Sequence, residues 1–165
     1  DMYAYLLQGL LKYDADIAVC EYYNVYNKKR IATRRDEDRV FEGGKILEAL
    51  LGLKIGNYAW NKLYKKELWC YIRYPYGQNY EDVRTTYKLF QKCRRVVGLK
   101  DAKYFYFQNN FGIVQDRSIK NAISCVASRM ERYDAIYDES INMHSFMLRE
   151  IYQYTCSLRD KINKD

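Results

Sequence analysis

The spacing of apolar residues changes along this chain, and that change constrains the fold more than any other feature of the sequence. In the first segment, apolar side chains recur at the three- and four-residue intervals of an amphipathic helix that ends near Tyr13. Residues 17–20 form a continuous, partly β-branched run, and with residues 22–26 they predict a strand buried at its beginning. From Ser118 onward the spacing is helical throughout. The order of these patterns predicts an α/β fold followed by a helical tail.

Shorter apolar runs and turn residues predict the elements in between. Asn27-Lys28-Lys29-Arg30 is a polar turn, so we expect the first strand and a weaker one at residues 31–33 to form a hairpin. Three helical elements should follow, and Gly52 is well placed to end the first of them. The expected helices span residues 46–51, 57–68 and 81–92, and two strands are expected at residues 95–99 and 104–107.

Composition excludes some classes of protein and leaves others open. The 165 residues suffice for one domain with a hydrophobic core, and no apolar run approaches the ~20 residues of a membrane-spanning helix. The five cysteines are far apart and form no C-x-x-C pair, which indicates neither a zinc site nor a disulfide framework and fits a reducing cytoplasm. A net charge of +7 favours an anionic partner such as a nucleotide, a lipid phosphate, a membrane surface or nucleic acid. Charge scattered over solvated helix faces explains it equally well.

One acidic pair and one aromatic segment stand out among the candidates for chemistry. The sequence has no phosphate-binding loop, dinucleotide-binding motif, nucleophile elbow or zinc-protease motif, and the single histidine, His144, is expected to be structural. Glu81-Asp82 follows a loop with proline and glycine, and the aromatic residues 57–64 precede that loop. A carboxylate beside an aromatic platform can take a proton from a sugar hydroxyl while a ring stacks on the sugar. Acidic residues also suit the first turn of any helix, so capping is the simpler interpretation.

Five segments of the chain, in this order, resemble the downstream half of bacterial family 2 glycosyltransferases of the capsule and exopolysaccharide type. They are Asp1-Met2-Tyr3-x-Tyr5-Leu6, Tyr13-Asp14-Ala15-Asp16-Ile17, Asn57-Tyr58-Ala59-Trp60-Asn61-Lys62-Leu63-Tyr64-Lys65-Lys66-Glu67-Leu68, Asn79-Tyr80-Glu81-Asp82-Val83 and Tyr104-Phe105-Tyr106. The resemblance covers roughly residues 1–115 and implies a GT-A fold, a Rossmann-like α/β sandwich. In that family the preceding half binds the nucleoside-diphosphate sugar and ends in an Asp-x-Asp motif, which would lie a few residues before Asp1.

The resemblance therefore implies that this chain is the C-terminal, acceptor-side part of a longer enzyme. Residues 1–115 would form the acceptor-side half of the GT-A domain, and residues 116–165 a helical extension. The full-length enzyme would use Mg²⁺ or Mn²⁺ to neutralise the diphosphate leaving group. We expect no metal ligand in this chain, because the family's principal ligands belong to the preceding half. We also expect no transferase activity from this chain alone.

The resemblance also assigns roles to residues of this half. Asp82 would take the proton from the acceptor hydroxyl as that hydroxyl attacks the anomeric carbon with inversion, and Glu81 would support the site. Trp60 and Lys62 would line the acceptor side, although Trp60 is equally suited to anchor a core. Further candidates for substrate binding are Asn79, Gln108 and Asn109. After its aromatic strand the family commonly carries an Arg-rich Gly-Ser-Ile segment, whereas residues 107–114 keep the glycine and lack the arginines and serine.

The expected partners are a nucleotide-sugar donor and a saccharide or lipid-linked acceptor, in the cytoplasm or at the inner face of the cell membrane. Two other classes of function stay open. The chain could be a non-catalytic module that binds polysaccharide or, less consistently with its dispersed basic residues, nucleic acid. It could also be an oligomerisation unit that forms a homo-oligomer through apolar surface normally covered by the missing half.

Overall fold

The computed structural model describes residues 1–27, 29–108, 116, 118–139 and 141–163, which form a mixed α/β fold around a five-stranded sheet. The helices are α1 (Met2–Lys12), α2 (Lys45–Leu51), α3 (Glu81–Gln91), α4 (Ile119–Ile136) and α5 (His144–Ile162). The strands are β1 (Ile17–Tyr26), β2 (Lys29–Ala32), β3 (Arg39–Glu42), β4 (Lys62–Tyr64) and β5 (Arg95–Phe107). Two short 3₁₀ helices lie at Lys66–Trp69 and Ile141–Met143.

The sheet is built around β1. One edge of β1 pairs in parallel with β5, and the register between the two strands shifts near Glu21. The other edge is shared by two short antiparallel strands, because β4 pairs with residues 17–19 and β2 with residues 23–26. β3 pairs antiparallel with the first part of β5 and forms the far edge. Beyond the register shift, the ends of β1 and β5 bring Tyr22 opposite Tyr104, where an aromatic surface begins.

Alternation along β1 divides the core between the two faces of the sheet. The first face carries the larger cluster of buried side chains, to which β1 contributes Ile17 and Val19 and which α2 and α3 cover. The second face carries a smaller cluster, to which β1 contributes Ala18 and Cys20 and which α1 covers. All four residues are buried, as expected for a strand whose apolar residues are continuous rather than alternating.

The helical tail packs on the sheet domain. Ile136 of α4 and Met147 of α5 are 0% and 1% exposed within the larger cluster, and α4 lies between α3 and α5. The expected domain boundary at residue 115 falls outside the described residues, so the division into two domains stays a prediction. None of the described helices is both long enough and apolar enough to cross a membrane.

Most elements predicted from local spacing are present. The structure confirms the α/β class, α1, β1 and its hairpin with β2, α2 with its end at Gly52, and α3, while the GT-A type stays a prediction. The helix expected over residues 57–68 is wrong, because residues 62–64 pair with β1 as a strand and a 3₁₀ helix follows. The two strands expected at residues 95–99 and 104–107 are one continuous strand, since β1 pairs with both parts through the register shift.

Candidate functional site

A cleft of about 840 Å³ is lined by three surfaces of different chemistry, one acidic, one aromatic and one helical with arginines. The acidic part of its lining is the first turn of α3, with Glu81 and Asp82. The aromatic part comes from the segment before β4 and from the end of β5, and includes Trp60 and Gln108. The helical part comes from α4 and α5 and carries two arginines. Four of the residues predicted from the sequence therefore line one cleft.

The acidic part combines a capping contact with free carboxylate oxygen. Tyr80, which precedes α3, has left-handed backbone angles (φ +60°) and gives no side-chain hydrogen bond to the first turn. Asp82 Oδ1 instead accepts the Val83 N–H at 2.8 Å, which satisfies one free donor of that turn. Among the described residues, no basic side chain forms an ion pair with Glu81 or Asp82. Asp82 thus keeps its second oxygen, and Glu81 its whole carboxylate, for a ligand in the cleft.

Trp60 is the centre of the aromatic part. Its indole lies nearly parallel to the rings of Tyr58, Tyr104 and Tyr106, with centroids 4.8, 4.4 and 5.1 Å away. Tyr22 meets it edge-on at 4.9 Å. Pairs of this kind contribute ~0.5–1.5 kcal/mol each beyond the area that they bury, so the cluster fixes the position of the indole. Trp60 therefore anchors the aromatic cluster and also lines the cleft, while Tyr58, 38% exposed, is the more open ring.

Lys62 lies beneath the cleft rather than in its lining. Its side chain is buried, and its Nζ donates to the Tyr58 carbonyl and, at 2.9 Å, to Asn61 Oδ1. Burial lowers the pKa of Lys62 from its ordinary 10.5 to about 7, and attraction to Asp82 opposes part of that effect. The structure therefore couples Lys62 electrostatically to Asp82, whereas its direct contact with an acceptor stays a prediction.

The other predicted residues are placed differently. Asn79 faces α4 and does not line the cleft: its Nδ2 donates to Asn121 Oδ1 at 2.8 Å, and its carbonyl accepts the Ser124 hydroxyl at 3.2 Å. Asn79 therefore ties the loop before α3 to the helical tail. Gln108 does line the cleft, and its Nε2 donates to Asn24 Oδ1 at 3.2 Å. Asn109 lies outside the described residues.

The sequence did not predict the helical part of the lining. Arg129 is 8% exposed, lies 3.8 Å from the centroid of the Tyr154 ring, and donates from Nε to Glu150 at 2.8 Å. The other carboxylate oxygen of Glu150 accepts a hydrogen bond from Arg132 at 2.5 Å. Arg149 also lines the cleft. The only sequence signal was weak: Arg129 lies three residues after buried Val126, on the inward face of α4.

This chain matches no protein-family model, and no curated protein matches it. Among the described residues, no group of three or more His, Cys, Asp or Glu side chains could hold a metal ion. The residues of the cleft combine aromatic rings with the carboxylates of Glu81 and Asp82 and with two arginines, which suits a polar, ring-containing ligand.

Proposed function

We propose that this chain is the acceptor-side part of a family 2 glycosyltransferase of the GT-A type. The full-length enzyme would transfer a sugar from a nucleoside-diphosphate sugar to a saccharide or lipid-linked acceptor, with inversion at the anomeric carbon. The proposal is carried by one observation: the acidic pair Glu81-Asp82 and the aromatic cluster around Trp60 line the same cleft, although more than 15 residues separate them in the chain. A sugar hydroxyl needs such a pairing of base and platform.

Asp82 is the residue proposed to act as the base. Its unpaired oxygen accepts the proton of the acceptor hydroxyl while the hydroxyl oxygen forms a bond to the anomeric carbon of the donor. The bond between that carbon and the diphosphate breaks in the same step, and the nucleoside diphosphate leaves with the bonding electrons. Asp82 lies in the first turn of α3, at the positive end of the helix dipole, which attracts a carboxylate.

The neighbouring residues orient the acceptor in this proposal. Glu81 accepts a second acceptor hydroxyl, and Gln108 offers an amide at the other end of the aromatic part. Tyr58, the more open ring, packs against the apolar face of the sugar ring and excludes water from it, while Trp60 holds Tyr58 in place. Lys62 acts from below the cleft: its Nζ donates to the Tyr58 carbonyl and to Asn61 Oδ1, which holds the segment that carries Trp60 in place.

The Mg²⁺ or Mn²⁺ of the full-length enzyme belongs to the donor-binding half in this proposal. The described residues of this chain do not offer a ligand set for it, so no step is assigned to a metal here. The proposed location is the cytoplasm, at or near the inner face of the membrane that would carry a lipid-linked acceptor.

The test is sugar-nucleotide turnover by the full-length protein, with Asp82→Asn compared against wild type. Loss of a general base typically costs ~10²–10⁴-fold in rate, so kcat should fall by that amount while the thermal midpoint changes little. Glu48→Gln is the matched control, because it also removes a carboxylate from the first turn of a helix but does not line the cleft. Equal turnover in the two variants would show that Asp82 serves only as a helix cap. The isolated 165-residue chain should show no turnover.

A non-catalytic saccharide-binding module is the second candidate, because the aromatic cluster would serve it equally well. In that case Trp60→Ala would weaken oligosaccharide binding, measured by calorimetry, while the full-length protein would show no turnover of any sugar nucleotide. Turnover that depends on Asp82 would exclude it.

An oligomerisation unit is the third candidate, favoured by an apolar stripe on α1. Tyr3, Leu7 and Leu11 recur every four residues and are 66, 50 and 74% exposed. Light scattering distinguishes this candidate: a mass that rises with concentration and returns to the monomer value in Leu7→Gln would support it.

A further inference from the structure

Arg149 is the arginine of the cleft that no described partner neutralises. It projects from α5 into the lining and is exposed, and within the described residues it forms no ion pair and no hydrogen bond. The other arginines nearby are paired: Arg129 and Arg132 both bind Glu150, and Arg84 binds Glu131. An arginine without a partner in a concave site is available to a ligand.

The surroundings of Arg149 add further positive charge. Arg129 and Arg132 share the single carboxylate of Glu150, so this buried group carries two positive charges against one negative charge. Arg132 is 2% exposed and its Nε has no hydrogen-bond partner among the described residues, which shows that Glu150 does not satisfy both guanidinium groups. Glu150 already accepts from two arginines, so it is not available to Arg149.

The excess of positive charge around Arg149 indicates which chemical group would bind there. The helical part of the cleft has about two uncompensated positive charges, one on Arg149 and one in the buried group, which matches a phosphate dianion better than a single carboxylate. A planar guanidinium also binds two phosphate oxygens at once. Glu81 and Asp82 repel an anion from the acidic part, so a phosphate has one favourable place in the cleft.

We propose that Arg149 binds a phosphate or diphosphate group of the ligand of this cleft. The inference rests on the proposed function for the source of that group, which is either the diphosphate of the donor or a phosphate that links the acceptor sugar to its carrier. In both cases the phosphate lies on the helical part and the sugar hydroxyl lies near Asp82. The C-terminal helix then contributes directly to substrate selection.

The test is the binding of inorganic pyrophosphate to this chain by isothermal calorimetry, with Arg149→Gln compared against wild type. Hydrogen bonds to charged groups contribute enough that the Kd should rise about tenfold in the variant. Arg159→Gln is the matched control: it removes the same charge from the same helix, but Arg159 pairs with Asp160 and lies outside the cleft. Its Kd should stay within about twofold of wild type.

Absence of saturable pyrophosphate binding by wild type, or equal weakening by the two variants, would overturn the proposal. Asp82→Asn should bind pyrophosphate at least as tightly as wild type, because it removes a repelling charge. Pyrophosphate binding needs no catalysis, so failure of the transferase assay with a selective Arg149 effect would reject only the proposed function. Normal transfer with unchanged binding by Arg149→Gln would reject only this inference.

Two further ligands distinguish the source of the phosphate. A selective loss of affinity for a nucleoside diphosphate in Arg149→Gln assigns the site to the donor. A selective loss for a sugar 1-phosphate assigns it to the acceptor. Either pattern supports the phosphate site.

Discussion

The buried ammonium group of Lys62 should make the stability of this chain depend on pH near neutrality. In the folded chain its pKa is about 7, lowered from the ordinary 10.5 mainly by burial. The unfolded chain therefore holds more protons than the folded chain between these two values, and the free energy of unfolding rises with pH across that window. Stability is lost as the pH falls from 10.5 towards 7, because the unfolded chain takes up a proton at Lys62 that the folded chain does not; below about 7 both states are protonated and the dependence levels off.

The size of the effect follows from the same two values. Each pH unit between them corresponds to ~1.4 kcal/mol, so the whole window amounts to about 5 kcal/mol. About 2 kcal/mol of this falls between pH 7 and pH 9, where measurement is convenient. Lys62→Met keeps the length of the side chain and removes the titrating group, although it leaves Asn61 Oδ1 without its donor. Only the difference in slope between the two proteins is therefore diagnostic.

The assay is urea denaturation of wild type and Lys62→Met at several pH values from 6.5 to 9. Wild type should gain about 2 kcal/mol more than the variant between pH 7 and pH 9. Lys65→Met is the control, because Lys65 is exposed and its hydrogen bond to Asp16 raises its pKa, so it does not titrate in this range. Parallel pH profiles for wild type and Lys62→Met would show that Lys62 is not held in a dehydrated site, and would refute the reasoning.

Two further predictions concern the packing that holds the cleft. Glu150→Gln should lower the free energy of unfolding by about 3 kcal/mol in denaturant titrations, because two buried guanidinium groups lose their shared carboxylate. Exposed Glu139→Gln is the control, and a loss of stability in Glu150→Gln no larger than in Glu139→Gln would contradict this. Gly9→Ala should lower stability by about 1–2 kcal/mol, because the added Cβ would lie 2.6 Å from Leu99 Cδ1 in the smaller cluster. Gly44→Ala is its control, with nothing within 4 Å of the added atom, and should change stability by less than about 0.5 kcal/mol.

The sequence predicted those helices and strands whose apolar residues recur at a regular spacing. α1 buries one helical stripe, α3 carries its apolar residues Val83, Tyr87 and Phe90 at helical spacing, and β1 buries four consecutive residues, so these patterns are visible without any knowledge of the fold. β3 and β4 were missed because they are short, and because their strand conformation comes from pairing with β5 and β1 rather than from their own residues. β5 continues through Lys100 and Asp101, between the two runs expected as separate strands, because β1 pairs with β5 on both sides of the register shift.

The site was predicted in part for the same reason. The acidic and aromatic parts lie in segments with a local signature, a helix start and a run of rings. The helical part depends on how α4 and α5 dock, which the burial of Ile136 and Met147 decides, and neither residue differs in the sequence from any other apolar helix position. The sequence therefore could not single out Arg149, although it is the one arginine of the cleft without a described partner.

The aromatic part is held against the acidic part by buried polar side chains. Asn61 is 4% exposed, and its side-chain amide donates to the Cys20 carbonyl at 2.8 Å while its backbone carbonyl accepts the Cys20 N–H at 3.0 Å. Thr86 of α3 is fully buried and donates to the Asn57 carbonyl at 2.7 Å. The segment that carries Trp60 is thus fixed to β1 at one end and to α3 at the other. Because leaving such buried groups unpaired costs ~1–3 kcal/mol each, the spacing between ring platform and carboxylate is set by the fold before any ligand binds.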